Sequence, residues 1–365
     1  MPSRNILLTP GPTPVPEAVR RVMAEPVIHH RTPQYRKIFE QATGRLKRVF
    51  MTQGPVYTIT GSGTSAMEAS LVNFHSAGDE VLVLEAGKFG ERFTHLAKAY
   101  GLKVTVLKAP YGDVVEPEEV KAALKKNPLI RAVCSQLCET STAALHDVKE
   151  IAKVVQQSSA LLIVDAISGL GADRLETDAW GVDLVVTASQ KALMLPPGLA
   201  FISVSEKAQA RMKAARLPKF YLNLALYEKG MPDWDTPFTS ALTLVIGLNK
   251  ALEMIEAEGL ESVFKRCQLL GEFTRAKLKS LGLELFSKAP SATVSAASVP
   301  AGINGEEIVK IMRDQKGVSI AGGQGEMKGK IIRIAHMGAI TKKDLEEGLV
   351  LLEETLNEMK VKGAK

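Results

Sequence analysis

The chain has 365 residues, 45% hydrophobic and 24% charged, long enough for a sizeable core in about two domains and unlike disordered or membrane-embedded chains. Its 46 basic and 40 acidic side chains are scattered along the whole length, so the net charge of +6 does not point to nucleic acid. Three cysteines form neither an even disulfide set nor a zinc-ligand pattern, no run of about 18 apolar residues occurs, and Met1 to Thr9 carries no cleavable leader; these features predict a cytoplasmic protein away from membranes.

In chain order, the proline-rich opening from Leu7 to Pro16 predicts an extended arm lying across a surface. Helical spacing follows from Gln34 to Phe50, and then strand and helix signals alternate. Apolar runs at Val56 to Thr60, Glu80 to Leu84, Val104 to Leu107, Ile130 to Ser135, Leu161 to Asp165, Leu184 to Thr187 and Leu199 to Val204 predict seven buried strands. Such strands suit an α/β fold with a mainly parallel sheet between helices. The last three lie too close together for full helical crossovers, so part of the sheet is expected to be antiparallel or joined by long loops. A region from Ser240 to Leu281, interrupted at Gly259, predicts two connecting helices. Beyond it, strands near Leu283 to Phe286, Thr293 to Val299 and Lys330 to Ala335, with helices at Gly305 to Asp314 and from Lys342 to about Met359, predict a smaller α+β domain. The expected division is an arm over residues 1–20, a large domain over 21–255 and a small one over 256–365.

Three segments carry candidate chemistry. Thr60-Gly61-Ser62-Gly63-Thr64-Ser65 follows a strand and opens a helix, which presents free amides, two hydroxyls and a positive helix end to an anion; it lacks dinucleotide-binding and Walker spacing. Asp165 closes a buried strand where open α/β sheets place ligands, although a helix cap or a loop ion pair is the plainer alternative. Lys191 follows another apolar strand, where desolvation would favour its neutral, nucleophilic amine over the snorkelling surface lysine. A phosphate cradle, a strand-end Asp and a strand-following Lys are the groups that pyridoxal phosphate requires. His29-His30 lacks further ligands, and no metal site is expected.

With these residues in hand, the chain resembles the class V aminotransferases of pyridoxal-phosphate fold type I, particularly the alanine:glyoxylate and serine:pyruvate (serine:glyoxylate) group. The resemblance spans nearly the whole chain, through Thr9-Pro10-Gly11-Pro12-Thr13, Gly61 to Glu68, Gly87 to Arg92, Glu139-Thr140-Ser141-Thr142, Val164-Asp165-Ala166, Ser189-Gln190-Lys191, Pro196-Pro197-Gly198 and Arg333-Ile334. It implies that Lys191 holds pyridoxal 5'-phosphate as a Schiff base and that Asp165 partners the ring nitrogen. By the same resemblance, Ser62, Gly63, Thr64 and Gln190 hold the phosphate, Phe89 stacks on the ring and Thr140 lies near the ring hydroxyl. Arg333 is implied to grip the substrate carboxylate, with Gly11 approaching by its backbone. The strand around Arg333 is otherwise apolar, so its charge needs an anion, of which an internal Glu is the alternative. Thr239 is implied to reach the cofactor of a neighbouring subunit, which predicts a homodimer with shared sites.

Four departures from the family pattern stand out. Phe89 replaces a tryptophan of some relatives, Thr236 stands where some have tyrosine, and Cys138 and Ala143 occupy places where many have glycine. The expected reaction moves an amino group from a small amino acid, alanine or serine, to a small 2-oxo acid, glyoxylate or pyruvate, in ping-pong fashion. Two alternatives are 2-aminoethylphosphonate:pyruvate transamination and a non-catalytic subunit of a hydrogenase-like complex. Cysteine desulfuration is disfavoured, because no cysteine lies between Val318 and Ile331.

Overall fold

The computed structural model describes residues 5–363; the first four residues of the arm and the last two of the basic tail lie outside the described residues. Strands Val56–Gly61, Gly198–Val204, Leu184–Ala188, Leu161–Asp165, Ile130–Gln136, Glu80–Glu85 and Lys103–Lys108 lie side by side in that order. All neighbouring pairs are parallel except those of Gly198–Val204, which runs antiparallel to both of its neighbours. The cause is the short connector 189–197, which turns the chain straight back because a parallel return needs a longer crossover. The mixed α/β fold expected from the sequence is therefore the one observed.

Side-chain alternation along these strands feeds two cores. Leu82, Leu84, Val133, Leu162 and Val164 face one cluster, which includes Phe39 and Leu46 of helix Pro33–Phe50. Val81, Val83, Ala132, Leu161 and Ile163 face the other, which includes Met67 and Leu71 of helix Gly63–Val72. Because both faces are covered, inward and outward positions are equally apolar, and the strands read as unbroken hydrophobic runs.

Three sequence expectations are corrected. Strand Lys103–Lys108 is largely exposed instead of buried, because it is the sheet edge and pairs only with Glu80–Glu85. The segment near Leu283 to Phe286 forms no strand and makes a single bridge, between Leu285 and Ala297. The opening arm is not laid over a surface. Ile6–Leu7 pairs with Val318–Ser319, Leu8 is fully buried, and its carbonyl accepts from the Ala335 amide at 2.8 Å. Farther on, the Thr13 amide reaches the Gln190 carbonyl and its hydroxyl the Lys191 carbonyl, so the arm is threaded along the carboxyl ends of the strands.

The chain leaves the large sheet through helices Leu242–Glu258 and Leu260–Ser280, which meet at Gly259 with a φ of 83° that favours glycine. A three-stranded antiparallel sheet follows, with Ile331–Ala335 between Val294–Ser298 and Ala321–Gly322, packed with helices Gly305–Asp314 and Lys342–Gly363. Buried Asp173, which follows the Leu161–Asp165 strand, fastens this unit to the large sheet. It accepts from the Ser291 hydroxyl at 2.6 Å and the Ala292 amide at 2.8 Å.

Burial pushes the Asp173 carboxyl up from 3.8 to about 6, against the pull of those hydrogen bonds and of Arg275. A carboxyl whose folded value is raised is protonated preferentially in the folded chain. Its stabilising share is complete below about 4 and lost as pH rises through about 6. Urea unfolding of the wild type and Asp173→Asn should therefore diverge across that interval, the wild type losing about 3 kcal/mol relative to the variant. Parallel curves would show that Asp173 carries no such linkage.

Candidate active site

The carboxyl ends of the central strands, the connector 189–197, the arm and strand Ile331–Ala335 converge on Lys191. The connector is a closed turn. The Ser189 hydroxyl donates to the Pro196 carbonyl at 2.7 Å, and the Met194 amide donates to the Lys191 carbonyl at 3.0 Å. This turn aims Lys191 inward, where it is only 8% exposed and its Nζ donates to the Pro10 carbonyl. Gly11 is required at this point. It adopts a φ of 129°, and a Cβ there would lie 2.5 Å from Lys191 Nζ. Burial is the main cause that brings the Lys191 ammonium down to about 8; Arg333 and Arg92 act the same way, and Asp165 opposes.

Asp165 ends strand Leu161–Asp165, 4% exposed, with Oδ1 accepting from the Ile167 amide at 2.9 Å. Among the described residues it caps no helix and makes no ion pair, so neither plainer alternative holds. Burial pushes its carboxyl up to about 7; Glu139 adds to the rise, while the Ile167 amide, Lys191 and Arg92 oppose it.

At the opposite edge of the cluster, Ser62 caps helix Gly63–Val72 in an extended conformation without a side-chain cap bond, which leaves the Gly63 and Thr64 amides open. The Ser65 hydroxyl and amide fold back on the Ser62 carbonyl at 2.7 and 2.8 Å. Gly63 packs closely, since a Cβ there would lie 2.6 Å from the tip of Ile167 and 3.1 Å from Ala188. The Gln190 side-chain oxygen is buried without a partner. Half-buried Phe89 opens helix Lys88–Ala99.

Arg333, 4% exposed, donates Nε and Nη2 to the Gly322 carbonyl at 2.9 and 2.8 Å, and Nη1 to the Thr140 carbonyl at 2.8 Å. These bonds use three of the five guanidinium N–H groups, and no carboxylate lies within ion-pair distance among the described residues. The internal Glu partner is thus not a direct one. Burial brings Arg333 down to about 10, and Glu139 is the largest opposing charge. The Thr140 hydroxyl bonds to that of Ser168.

Two residues matter more than the sequence reading suggested. Fully buried Glu139 accepts from the amides of Phe89, Gly90 and Ser141, each at 3.0 Å, so one carboxylate ties the aromatic helix to the Thr140 loop. Burial raises its carboxyl, and these bonds oppose the rise. An acid beside a buried strand and three hydroxyl residues was the available signal. The other is Arg92, whose guanidinium carbon lies 4.8 Å from the centre of the Phe89 ring.

The structure does not bring Thr239 into this cluster: it is exposed in this chain. Thr236 is buried and its hydroxyl is used on the Phe238 carbonyl at 2.7 Å. Of the two glycine replacements, Ala143 takes a left-handed φ of 64°, the conformation glycine would favour, while the Cys138 sulfur accepts from the Thr293 hydroxyl. All three cysteines are free and buried. His29 is exposed, and no cluster of three or more potential metal ligands occurs among the described residues.

Comparison with known proteins agrees with this arrangement. A 42% identical relative named an uncharacterized aminotransferase, from Methanocaldococcus jannaschii, aligns over 98% of this chain and 94% of its own length. A soluble hydrogenase small subunit from Synechococcus sp. is 41% identical over 98% of this chain and 94% of its own. An L-aspartate–glyoxylate aminotransferase from Paracoccus denitrificans is 34% identical, covering 98% and 93%. Among solved structures, ureidoglycine–glyoxylate aminotransferase from Bacillus subtilis superposes with a TM-score of 0.94 at 30% identity, covering 99% of this chain and 95% of that one. Alanine–glyoxylate aminotransferase from Nostoc sp. gives 0.93 at 29%, covering 98% and 97%. The family model described as aminotransferase class-V matches residues 7–344, and the chain belongs to that family.

Proposed function

We propose that this chain is a pyridoxal-phosphate-dependent transaminase that passes the amino group of a small amino acid to glyoxylate or pyruvate, with Lys191 as its central residue. The observation that carries the reading is a buried amine, brought down to about 8, in one crevice with a buried carboxyl and a buried guanidinium that both lack ion-pair partners among the described residues. The residues fit the group. The open helix end, the Ser62 and Thr64 hydroxyls and the Gly63 cradle suit a phosphate, and Asp165 suits a protonated ring nitrogen.

When bound, the pyridine ring supplies an electron sink for a carbanion at the substrate's Cα. The rest falls to the chain. Neutral Lys191 would hold the group covalently; once displaced by the substrate amine, it would carry a proton between Cα and the C4′ position. Asp165, ionised by contact with the ring nitrogen, would keep that nitrogen protonated. Arg333 would use its two remaining N–H groups on the α-carboxylate of donor and acceptor in turn, the condition for a ping-pong exchange. Gly11 would leave room for Cα, Phe89 would stack on the ring, and Thr140 would lie by the ring hydroxyl. Ser62, Gly63, Thr64 and Gln190 would bind the phosphate.

The relatives named above that act on glyoxylate differ in their donors, which supports glyoxylate as the acceptor more strongly than any one donor. Thr239 lies beside a partly exposed cluster of Phe220, Tyr221 and Phe238 rings, which supports a homodimer sharing its sites; a sedimentation mass of twice the chain checks it. A cytoplasmic location remains part of this proposal, and no helix among the described residues is long and apolar enough to cross a membrane.

Borohydride reduction of the cofactor-loaded protein should attach the cofactor's mass to Lys191 alone, and Lys191→Ala should carry none. Attachment that persists in the variant would contradict the assignment. Half-reactions followed by absorbance with alanine, serine, aspartate and 2-aminoethylphosphonate separate the remaining readings. Alanine or serine should convert the cofactor and glyoxylate restore it. Preference for the phosphonate would favour that alternative, and a cofactor band unmoved by any amine would favour the hydrogenase-like subunit. Arg333→Gln should lower kcat/KM for the α-amino acid about 100-fold, roughly 3 kcal/mol.

A further inference from the structure

The proposed phosphate site has a charge problem. Ser62, Gly63, Thr64 and Gln190 are all neutral, whereas a phosphate monoester carries about −1.5 to −2 charges at neutral pH. A helix end supplies only about half a positive charge. Something else in the chain must answer the remainder.

Arg92 is placed to do so. It lies three residues after Phe89 on helix Lys88–Ala99, and therefore on the same face. Its Nη1 donates to the Thr64 hydroxyl oxygen at 3.3 Å, and its guanidinium carbon sits 4.8 Å from the centre of the Phe89 ring. No ion pair occupies Arg92 among the described residues, although the neighbouring Lys88 and Glu91 pair with each other. The Thr64 bond also has a direction. A hydroxyl that accepts from Arg92 keeps its own hydrogen for an anion in front of it. The Phe89 ring beneath it favours the guanidinium at this place, while four of its N–H groups remain free of the Thr64 bond. Its field also reaches the centre of the site, where it favours the ionised form of Asp165 and the neutral form of Lys191.

We propose that Arg92 is the cation of the phosphate site: it binds the cofactor phosphate directly while orienting the Thr64 hydroxyl toward it. One turn of helix Lys88–Ala99 then serves both ends of the cofactor, Phe89 at the ring and Arg92 at the phosphate. This rests on the cofactor reading above, and its test is built to fail separately from that reading.

Cofactor-free wild type, Arg92→Gln and Arg92→Lys are titrated with pyridoxal 5'-phosphate and with pyridoxal, which has the aldehyde and ring but no phosphate. Dissociation constants are read from the absorbance of the lysine adduct. Arg92→Gln should weaken pyridoxal 5'-phosphate about tenfold and leave pyridoxal within about twofold, as expected for one partly exposed charge. Arg92→Lys should recover most of the loss, and added salt should shrink the wild-type advantage. Two results overturn the assignment: an unchanged affinity for pyridoxal 5'-phosphate in Arg92→Gln, or an equal loss for both compounds, which would make Arg92 a support for the Phe89 ring only. If the wild type itself takes up neither compound, the cofactor reading falls and this proposal falls with it.

Discussion

Lys191 Nζ lies in a crevice where water is replaced by the Pro10 carbonyl and the bare backbone of Gly11. The rest of the structure is arranged around that one desolvated amine. An ammonium loses more than an amine when water is removed, so the same burial that excludes solvent prepares the nucleophile. The short connector 189–197 makes this possible, because it reverses the chain at the carboxyl end of the sheet instead of carrying it away through a helix. The reversal is also why Gly198–Val204 runs antiparallel. The arm contributes what the sheet cannot, a residue without Cβ against the lysine stem, and it is anchored by Ile6–Leu7, Leu8 and Thr13 on either side.

Charge balance is the second constraint. Asp165 and Arg333 are each buried without an ion pair among the described residues, a state that costs several kcal/mol for an isolated charge. The fold meets part of that cost internally. Carbonyls of Gly322 and Thr140 satisfy Arg333, and Glu139 lies near enough to stabilise its charge without neutralising it. Glu139 is itself held by amides at the start of helix Lys88–Ala99, where a carboxylate is favoured. Under the proposed function, the remaining charge is answered by the ligands: the ring nitrogen at Asp165, the substrate carboxylate at Arg333 and the phosphate at Arg92. A site built this way binds its ligands partly because their absence leaves it electrostatically incomplete.

The sheet was legible because strands buried on both faces need an apolar residue at every position, a signal independent of distant contacts. Edge position is not encoded that way: Val106 looks like a core residue but ends up beside solvent, since nothing in its own segment says that no strand lies beyond it in the sheet. Leu283 to Phe286 does meet Val294–Ser298, through the Phe286 amide on the Ala296 carbonyl and the Ser298 amide on the Glu284 carbonyl, but the pairing stops at the one Leu285–Ala297 bridge, too short for a strand. Asp165, Lys191 and Arg333 could be singled out because each interrupts, ends or closely follows an apolar strand. Arg92 could not, since an arginine on an amphipathic helix looks like any solvated side chain until the fold sets it over Phe89 and beside Thr64. Thr239 is the converse case, named through resemblance and exposed in a single chain, so its role depends on a second copy.

Burial, more than any neighbouring charge, makes the Lys191 amine available near neutral pH. The most direct measurement is an NMR titration of isotope-labelled lysine side chains in the cofactor-free protein, with the Lys191 signal assigned by its loss in Lys191→Met. A midpoint of about 8 is expected for that signal. A midpoint near the ordinary 10.5 would contradict it, because Lys191 would then be an ordinary hydrated ammonium in the resting protein.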